Sequence, residues 1–406
     1  MVPEGWKIRT LKDILSGSIR NGFSPIASDK ETGFWVLGLG SLGDEGINVT
    51  EIKPVEPTDR VLQTKLSYGD FLVSRSNTPD KVGRSIYFRD EIENCSYPDL
   101  MMKFRIDESK AYPLFIEQKL KSSDVRAFFK NCAAGSSATM VKINKVILEK
   151  TPLLLPNINE QKKITQVLST WDKAIATTEQ LLANSQQQKK ALMQQLLAGE
   201  KRLTGFKQAW SKVKVSNMGS ISSGGTPDTT KKEYWDGGIN WLTPTDVTSL
   251  KSRYVFSTNK KISEEGLKNS SAKMLPRGSL LICTRATIGA MAISTTEIAT
   301  NQGFKNLVPN AEFSVEFLYY LFTFNIKELV RKSSGSTFLE LSKSDFEKLT
   351  FLCPCIDEQH KIASVLIAAD DEIAVQQQKL HYLKQEKKAL MQQLLTGKRR
   401  VKVEAA

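Results

Sequence analysis

The sequence predicts an α+β fold, with two globular α+β domains separated by two long antiparallel coiled-coil helices and related by approximate two-fold symmetry. Three observations predict this fold. The stretch KKALMQQLLAG at residues 189–199 recurs with one letter changed, as KKALMQQLLTG, at residues 387–397. Apolar residues follow a heptad spacing through both copies, which is typical of a coiled coil. The unlike blocks that precede the two copies mix strand-like runs with turn clusters.

The length and composition indicate a soluble protein with several domains. At 406 residues the chain exceeds one ordinary core, so we expect roughly two to four domains. No apolar run approaches the roughly 18 to 20 residues that span a bilayer, and the opening MVPEGWKIRT lacks the pattern of a secretory signal. Five scattered cysteines suit a reducing compartment. We therefore expect a cytoplasmic protein without membrane segments.

The charge balance favours a polyanionic partner. Lys and Arg number 57 against 44 Asp and Glu, which gives a net charge of +13 and a pI near 9.3. Each Lys or Arg placed on a phosphate releases condensed counterions, and this release favours binding to nucleic acid. A solvated basic surface without a ligand has the same composition, so charge alone leaves both interpretations open.

The repeat extends beyond the matching eleven residues and divides the chain. NEQKKI aligns with DEQHKI at the same spacing, without a gap, at residues 159–164 and 357–362. Fainter matches lie upstream: Trp6 with Trp210, NGFSP (21–25) with GGTP (224–227), and GDFLVSR (69–75) with GSLLICTR (278–285). The chain is thus a tandem duplication, for which we predict segments 1–155, 156–202, 203–352 and 353–406.

The repeated segments predict long helices. Heptad positions from Ile164 to Leu196, and from Ile362 to Leu394, form an apolar seam with a few polar interruptions. The candidate N-caps and C-terminal stops are Asn159 and Gly199 in the first copy, and Asp357 and Gly397 in the second. About 38 residues make a rod on the order of 55 Å long. We expect the two rods to bury their seams against each other within one chain; pairing between chains is the alternative.

The two variable blocks predict α+β domains. They contain strand-like runs, such as FLVSR and LMMKFRI in the first block and SLLICT in the second, separated by turn clusters such as SGGTP. Each block ends in an aromatic-rich stretch that we predict to be helical, at residues 114–129 and 315–330. We expect these aromatic side chains to lie in the core.

The familiar motifs of catalysis are missing from the sequence. It has no phosphate-binding loop of the form GxxxxGK[ST] and no GxGxxG that opens a helix after a strand. Its only histidines are His360 and His381, so a His-centred triad has no obvious place to form. Cys353 and Cys355 with His360 fall short of the four ligands of a closed zinc site. We therefore predict no catalytic residue and no metal site.

One stretch resembles a metal-dependent nuclease motif. In PDLMMKFRIDESK, the order of Asp99, Glu108 and Lys110 is similar to the PD-(D/E)-x-K pattern, in which carboxylates hold Mg²⁺ and activate water. The gap between the two carboxylates is short, and the matching stretch NQGFKNLV at residues 301–308 has none. Strand and turn residues are the better interpretation, and a standalone nuclease is the alternative.

Several short motifs together resemble one protein family. PNINEQKKI and PCIDEQHKI, SGGTP followed by YWDGGINWL, and NQGF resemble the specificity (S) subunit of type I restriction-modification systems, over essentially the whole chain. NGFSP and YPDLM in the first block match the family signatures less closely than their second-block counterparts. The resemblance implies that residues 1–155 and 203–352 are target recognition domains, and that residues 156–202 and 353–406 are conserved spacer helices.

The resemblance also implies partners. The recognition domains would read double-stranded DNA, and the spacer helices would dock two methyltransferase (modification) subunits, with two restriction subunits completing the enzyme. This chain would be a non-catalytic subunit, and S-adenosylmethionine, ATP and Mg²⁺ would belong to the partners. Repeated helices combined with unlike blocks imply an asymmetric, bipartite target whose gap depends on rod length. A coiled-coil adaptor without DNA binding is a further alternative.

Candidate DNA-binding residues follow the strands of each block. Base reading requires side chains that reach the groove edges, typically Arg or Lys to guanine and Asn or Gln to adenine. The candidates are Arg75, Ser76, Asn77, Lys81 and Arg84 in the first block, and Thr226, Thr284, Arg285, Thr287, Asn301 and Gln302 in the second. Contact with phosphate, which positions without specifying, is the alternative for each Arg and Lys.

The end of each repeated helix has a wider apolar face than a two-helix seam needs. Its residues are Leu192, Met193, Leu196 and Leu197 in the first copy, and Leu390, Met391, Leu394 and Leu395 in the second. We expect this surplus to bind a partner helix. Packing onto the chain's own globular blocks is the alternative.

Overall fold

A computed structural model describes residues 2–43, 46–137, 140–285, 287–333 and 339–402, apart from the side chains of residues 136 and 137. The chain divides into two compact units. Unit 1 comprises Met1–Glu179 and Lys379–Ala406, and unit 2 comprises Gln180–Gln378. Each unit therefore contains one variable block together with parts of both repeated helices.

The variable block of unit 1 mixes strands and helices, as predicted. Its strands are β1 (Lys7–Thr10), β2 (Arg20–Asn21), β3 (Trp35–Leu37), β4 (Ile52–Pro54), β5 (Phe71–Ser74), β6 (Ser76–Asn77), β7 (Ser85–Tyr87), β8 (Cys95–Ser96), β9 (Met101–Phe104), β10 (Ala134–Ser137), β11 (Met140–Lys142) and β12 (Pro152–Leu155). Its helices are α1 (Asp59–Gln63), α2 (Pro113–Lys121), α3 (Ser123–Cys132) and α4 (Lys145–Glu149), and the long helix α5 (Ile158–Leu197) follows. The runs FLVSR and LMMKFRI thus contain strands β5 and β9.

The main sheet of unit 1 lies between two apolar cores. Its strand order is β2-β9-β5-β7, and each neighbouring pair is antiparallel. Strand β5 directs Phe71 and Val73 into one core and Leu72 into another, because alternate residues of a strand face opposite sides of a sheet. The other pairings are β4-β3-β8, β10-β11-β6 and β1-β12.

The variable block of unit 2 has a closely similar composition of elements. Its strands are β13 (Ser211–Lys214), β14 (Gly219–Ser223), β15 (Trp235–Leu242), β16 (Tyr254–Val255), β17 (Lys260–Ile262), β18 (Leu280–Cys283), β19 (Met291–Ser294), β20 (Ala299–Thr300), β21 (Phe304–Pro309) and β22 (Thr350–Cys353). Its helices are α6 (Pro244–Ser249), α7 (Glu264–Lys268), α8 (Val315–Phe324), α9 (Ile326–Arg331) and α10 (Lys343–Lys348), followed by the long helix α11 (Ile356–Leu394).

The sheets of unit 2 repeat those of unit 1. The main sheet has the order β14-β21-β18-β19-β16, whose first four strands correspond to β2-β9-β5-β7. The order β17-β15-β20 corresponds to β4-β3-β8, including one parallel pair in each, and β13-β22 corresponds to β1-β12. Apart from β10-β11-β6, which matches no sheet assigned among the described residues of unit 2, the two blocks therefore share one topology, as a tandem duplication predicts.

The aromatic-rich stretches form two helices each, where the sequence predicts one. Ser122, with an extended ψ of 154°, separates α2 from α3, and Asn325 separates α8 from α9. The expectation that the aromatic side chains are core residues is confirmed for Phe115, Phe129, Phe317, Tyr320 and Phe322, all of which are buried.

Both predicted long helices, α5 and α11, are present and pack together. The predicted seam positions are buried or half-buried along both helices, whereas most of their other positions are exposed. The helices end before Gly199 and Gly397, as predicted. These glycines have φ angles of 71° and 70°, a left-handed conformation that glycine adopts without strain.

The predicted N-caps, Asn159 and Asp357, are wrong by two residues. Helix α5 begins earlier, and its cap is Asn157, whose Oδ1 accepts a hydrogen bond from Glu160 N at 2.9 Å. In α11, Cys355 immediately precedes the first helical residue. The predicted caps lie within the first turn instead, because the helical part of each motif starts two residues nearer its proline.

Within each unit the segments of the long helices run antiparallel. The contacts are Asp172–Lys387 and Glu179–Lys384 in unit 1, and Ser185–Glu372 and Lys189–Asp370 in unit 2. In both units the residue number along α11 falls as the number along α5 rises. The pair Lys189–Asp370 repeats the pair Lys387–Asp172 with the two helices exchanged, which is the pattern expected of duplicated, antiparallel rods.

The cysteines are free thiols, and Cys95, Cys283 and Cys353 are buried. Burial raises the pKa of the Cys353 thiol to about 12. Across the described residues, no group of three His, Cys, Asp or Glu side chains is placed to hold a metal ion. In the same part of the chain, no helix has both the length and the apolar character needed to cross a membrane.

Candidate nucleic-acid interface

The glutamine of each repeated motif joins a long helix to the variable block of its unit. Gln161 is buried; its Nε2 donates to Pro156 O and its Oε1 accepts from Tyr112 N, both at 2.8 Å. Gln359 makes the same two bonds in unit 2, to the preceding proline carbonyl and from Ser314 N, both at 3.0 Å. Because Tyr112 and Ser314 immediately precede α2 and α8, this fully bonded amide orients each block on its helix.

The glutamate of the first motif binds the segment that follows α11. Glu160, 1% exposed, accepts two hydrogen bonds from Arg400, with Nε to Oε1 at 2.6 Å and Nη2 to Oε2 at 2.9 Å. The hydrogen bond to Glu160 raises the pKa of Arg400. The guanidinium also lies over the ring of Trp6, 5.8 Å from its centroid. A bidentate pair of this kind is geometrically specific, so it fixes the end of one rod to the start of the other.

Unit 2 repeats this arrangement with the segment that follows α5. Glu358, also 1% exposed, accepts from Arg202, with Nε to Oε1 at 2.7 Å and Nη2 to Oε2 at 2.6 Å. The guanidinium lies 5.7 Å from the ring of Trp210, whose Nε1 donates to the same carboxylate at 3.3 Å. The glutamate and glutamine of PNINEQKKI and PCIDEQHKI are therefore structural: they hold each block, and each rod end, in place.

The strands that carry the candidate DNA-binding residues keep the same register in the two units. Arg75 N donates to Leu100 O, and Thr284 N donates to Gly303 O, each at 2.8 Å. Arg75 is therefore equivalent to Thr284, and the counterpart of Arg285 is the serine after Arg75. The match of GDFLVSR with GSLLICTR therefore runs in register from the first glycine of each, and Arg285 lies one residue beyond the position of Arg75.

The candidate residues of unit 2 gather where β18 ends and β21 begins. The Thr226 hydroxyl donates to Gln302 Oε1, and Asn301 Oδ1 accepts from Gly303 N at 2.9 Å. A Cβ added to Gly303 would lie 3.1 Å from Asn301 Oδ1 and 3.9 Å from Arg285 Cβ. Three loops thus bring Thr226, Arg285, Asn301 and Gln302 into one cluster.

One of the predicted residues near this cluster is inaccessible to solvent. Thr284 is fully buried, and its hydroxyl donates to Gly303 O at 3.2 Å. The Thr284 side chain is therefore enclosed and already hydrogen bonded, which makes it the least accessible of the DNA-binding candidates in unit 2. The remaining candidates of unit 2 are exposed or half-buried: Thr226, Arg285, Thr287, Asn301 and Gln302.

Two candidates of unit 1 are also enclosed. Ser76 and Asn77 form β6, which pairs with β11, and their exposed fractions are 1% and 7%. Burial makes Ser76 and Asn77 less accessible to DNA than the other candidates of unit 1, although the Ser76 hydroxyl has no hydrogen-bond partner among the described residues. Lys81 is exposed, and Arg75 and Arg84 are half-buried. Unit 1 therefore keeps three cationic candidates around the loop that follows β5.

A polar pair that the sequence analysis did not include lies on unit 1. The Ser24 hydroxyl donates to Asp99 Oδ1, and Asp99 N donates to Ser24 Oγ at 3.3 Å. Both residues are exposed. The match of NGFSP with GGTP aligns Ser24 with Thr226, so the sequence does indicate Ser24 as a candidate. For Asp99 the sequence shows only the resemblance to a nuclease motif.

The nuclease-like residues are not brought together. Asp99 precedes β9 and Glu108 follows it, so the length of that strand separates them. Lys110 pairs with Asp107, at 3.2 Å, rather than with either carboxylate of the motif. The strand and turn interpretation describes these residues.

The apolar residues at the rod ends pack into their own units. Leu196 and Leu197 are buried in the main core of unit 2, and Leu394 and Leu395 in that of unit 1, with Lys119 Nζ donating to the Leu395 carbonyl at 2.9 Å. For these leucines the structure supports the alternative of packing onto the chain's own globular blocks, because the variable block of the same unit covers them. The half-buried residues of the face pack against the same two cores: Leu192, Met193, Leu390 and Met391.

Comparison with known proteins identifies relatives over the whole chain. The putative type I restriction enzyme MjaX specificity subunit of Methanocaldococcus jannaschii is 26% identical over 99% of this chain and 95% of its own length. The MjaIX specificity subunit of the same organism is 39% identical, over 40% of this chain and 38% of that protein. The crystal structure of the HsdS subunit from Thermoanaerobacter tengcongensis is 16% identical, with a TM-score of 0.54 over 98% of both chains.

A second solved structure has the same fold. The S subunit of a type I restriction-modification system from M. genitalium is 14% identical, with a TM-score of 0.57, and the match covers 97% of this chain and 96% of that one. The family model for the type I restriction modification DNA specificity domain matches residues 3–184 and again residues 207–385. The chain therefore belongs to the type I restriction-modification DNA specificity family, with two copies of the family's domain.

Proposed function

We propose that this chain is the DNA sequence-specificity subunit of a type I restriction-modification enzyme and reads an asymmetric, bipartite target. One observation carries the proposal: two blocks of the same topology present different polar side chains at matching positions. Unit 2 presents Arg285, Gln302 and Thr226, whereas unit 1 presents Asp99 and Ser24. Two such surfaces offer different donor and acceptor patterns to base edges, so each would select its own half-site.

The charge of the chain supports a DNA partner. A net charge of +13 gives a sequence-independent attraction to phosphate, which falls steeply as salt rises. Exposed or half-buried cations, such as Arg75 and Lys81 in unit 1 and Arg285 in unit 2, would supply part of it. Phosphate contacts would set the position of the chain on the duplex, and the uncharged polar side chains would supply specificity.

The proposed role includes partners that carry the chemistry. Two modification subunits would bind the long helices, and two restriction subunits would complete the enzyme, in the cytoplasm. This chain would contribute no catalytic group, and S-adenosylmethionine, ATP and Mg²⁺ would be bound by the partners. Because the rod-end leucines are buried, docking would use the outer faces of the rods, where Leu181 and Val375 are 47% and 65% exposed.

Selection from a randomised duplex library tests the function directly. The full chain, purified together with its modification subunits, is expected to enrich one split motif with a fixed gap, and its affinity is expected to fall as salt rises. Methylation sequencing of the host genome should show the same motif, which should disappear when the gene is deleted. Binding without any enriched motif, or cleavage of DNA by the purified chain with Mg²⁺, would contradict the proposal.

A further inference from the structure

Backbone contacts place one side-chain pair at the same position in the two units. In unit 1, Gly22 N donates to Met101 O at 3.3 Å; in unit 2, Gly224 N donates to Phe304 O at the same distance. These bonds hold the turn that contains NGFSP against the start of β9 in unit 1. In unit 2 they hold the turn that contains SGGTP against the start of β21. Two residues further along each turn are Ser24 and Thr226, and two residues before each bonded carbonyl are Asp99 and Gln302.

A second pair of bonds supports this equivalence. Phe23 N donates to Tyr97 O at 3.0 Å, and Gly225 N donates to Thr300 O at 2.9 Å. In each unit a hydroxyl from the turn then donates to the side-chain oxygen of the loop residue. The same scaffold therefore holds a carboxylate in one unit and an amide in the other.

Asp99 is an exposed carboxylate with one fixed oxygen. Its Oδ1 accepts from Ser24, and Oδ2 has no bond within the residues that the structure describes. Those residues also supply no Lys or Arg nitrogen within ion-pair distance of it. A carboxylate near phosphate is unfavourable unless it meets a hydrogen-bond donor, because it has only lone pairs to offer.

The major groove contains few donors that satisfy this requirement. Cytosine presents its N4 amino group and adenine its N6 amino group, whereas guanine and thymine present acceptors to the same approach. A carboxylate is therefore attracted to two bases and repelled by the other two. Gln302 differs: Thr226 holds its oxygen, and its NH₂ group remains a donor, so it can also bind an acceptor such as adenine N7.

We propose that Asp99 is a specificity-determining residue that reads an exocyclic amino group, cytosine N4 or adenine N6, in the half-site of unit 1. Gln302 reads the matching base of the other half-site with a donor and an acceptor. One substitution at a shared position thus gives the two half-sites different bases. This inference rests on the proposed function, because it needs the polar ends of both units to face DNA.

The test compares Asp99→Asn with the unaltered chain in the same library selection, using each chain with its modification subunits. The unaltered chain is expected to prefer cytosine or adenine over guanine and thymine at one position of one half-site, by roughly tenfold or more. The identity of that base distinguishes N4 from N6. In Asp99→Asn this preference should fall to less than about threefold, while the other half-site stays unchanged, because Asn can donate as well as accept.

A matched control separates specificity from charge. Asp90→Asn removes the same charge from an exposed residue in the loop after β7, where a positive φ of 59° suits asparagine equally well. We expect its enriched motif to equal that of the unaltered chain. Uniformly tighter binding of Asp99→Asn to every sequence, with the motif retained, would overturn the inference by making Asp99 a general electrostatic group.

The reciprocal variant sharpens the result. Gln302→Glu keeps the length of the side chain and leaves only acceptors, so the preference should move toward an amino-bearing base in the half-site of unit 2 alone. No change at that position would overturn the inference while leaving the proposed function intact. If the unaltered chain enriched no split motif at all, the proposed function would fail first, and that result is distinct from either variant's.

Discussion

In unit 1 the glutamate at the start of α5 binds Arg400, and in unit 2 the matching glutamate at the start of α11 binds Arg202. On the strands of the same two blocks, Asp99 in one unit corresponds to Gln302 in the other. The contacts that hold a unit together are thus duplicated nearly atom for atom, while the exposed polar groups have changed. The two copies have kept the buried contacts that stabilise the fold, whereas their exposed polar residues differ. The following variants test this difference between buried and exposed residues.

The largest change in the DNA target is expected from insertions that leave both units intact. One heptad inserted into α5 after Glu179, and another into α11 after Gln378, preserves the seam and adds about 10 Å to each rod. If the rods set the gap, the unread stretch of the target should lengthen by about three base pairs, at 3.4 Å each. Library selection measures the gap. An unaltered gap would show that rod length does not set it.

Truncating a rod-end leucine should cost the most stability. Leu395→Ala leaves a cavity in the core of unit 1, and Leu197→Ala does so in unit 2, so each should lower the free energy of unfolding by about 2–5 kcal/mol. Urea denaturation measures the loss, and hydrogen exchange assigns it to one unit. Full stability combined with loss of the modification subunits would instead restore these residues as a docking face.

Neutralising the buried glutamates should distinguish the two units. Glu358→Gln removes the charge that meets Arg202, and we expect a loss of about 1–3 kcal/mol. Glu160→Gln should cost less, because Arg400 is more exposed than Arg202, at 45% against 27%, and because Trp210 also donates to Glu358. Thermal unfolding of both variants gives the comparison. A larger loss for Glu160→Gln would contradict this ranking.

The last variant concerns binding rather than stability. If the Arg285 guanidinium reads a base edge, Arg285→Ala should reduce the discrimination between bases at one position of one half-site by about 1–3 kcal/mol. Ser76→Ala, at the equivalent position of unit 1, should leave both half-sites unchanged because Ser76 is buried. Library selection measures both. Equal weakening of Arg285→Ala on all sequences would make this residue a phosphate contact.

The sequence predicts the rods well because their signal is both periodic and repeated. Heptad spacing fixes which side chains are buried, and the duplicated stretch shows that two such helices exist. The sequence does not show what covers the additional leucines, such as Leu197 and Leu395. An apolar helix face has the same sequence pattern whether a partner protein or the chain's own block covers it. The cap of α5 differs from the predicted one because Asn157 is as good a cap as Asn159, whereas α11 begins after Cys355, which is not a favoured capping residue.

The candidate site was harder to predict because it is assembled from three separate loops. The motif SGGTP and the residues of NQGF were identified, and they do lie together, but pairing Thr226 with Gln302 requires the sheet register. Polar residues at strand ends are also difficult to place from sequence. Ser76 and Thr284 are polar and follow apolar runs, which is typical of exposed residues, yet backbone pairing encloses them. Asp99 was considered only as a nuclease residue, because its equivalence to Gln302 appears in backbone bonds and not in the letters.

Unit 1 is built from two stretches of chain that are far apart in the sequence, and this has a consequence for synthesis. The ribosome makes the first block before unit 2, yet Leu394 and Leu395, which fill the core of that block, and Arg400, the partner of Glu160, emerge only with residues 379–406. Unit 2 is one continuous stretch and can close first. The block made earliest would then be the last to become complete, with its apolar surface uncovered in the meantime.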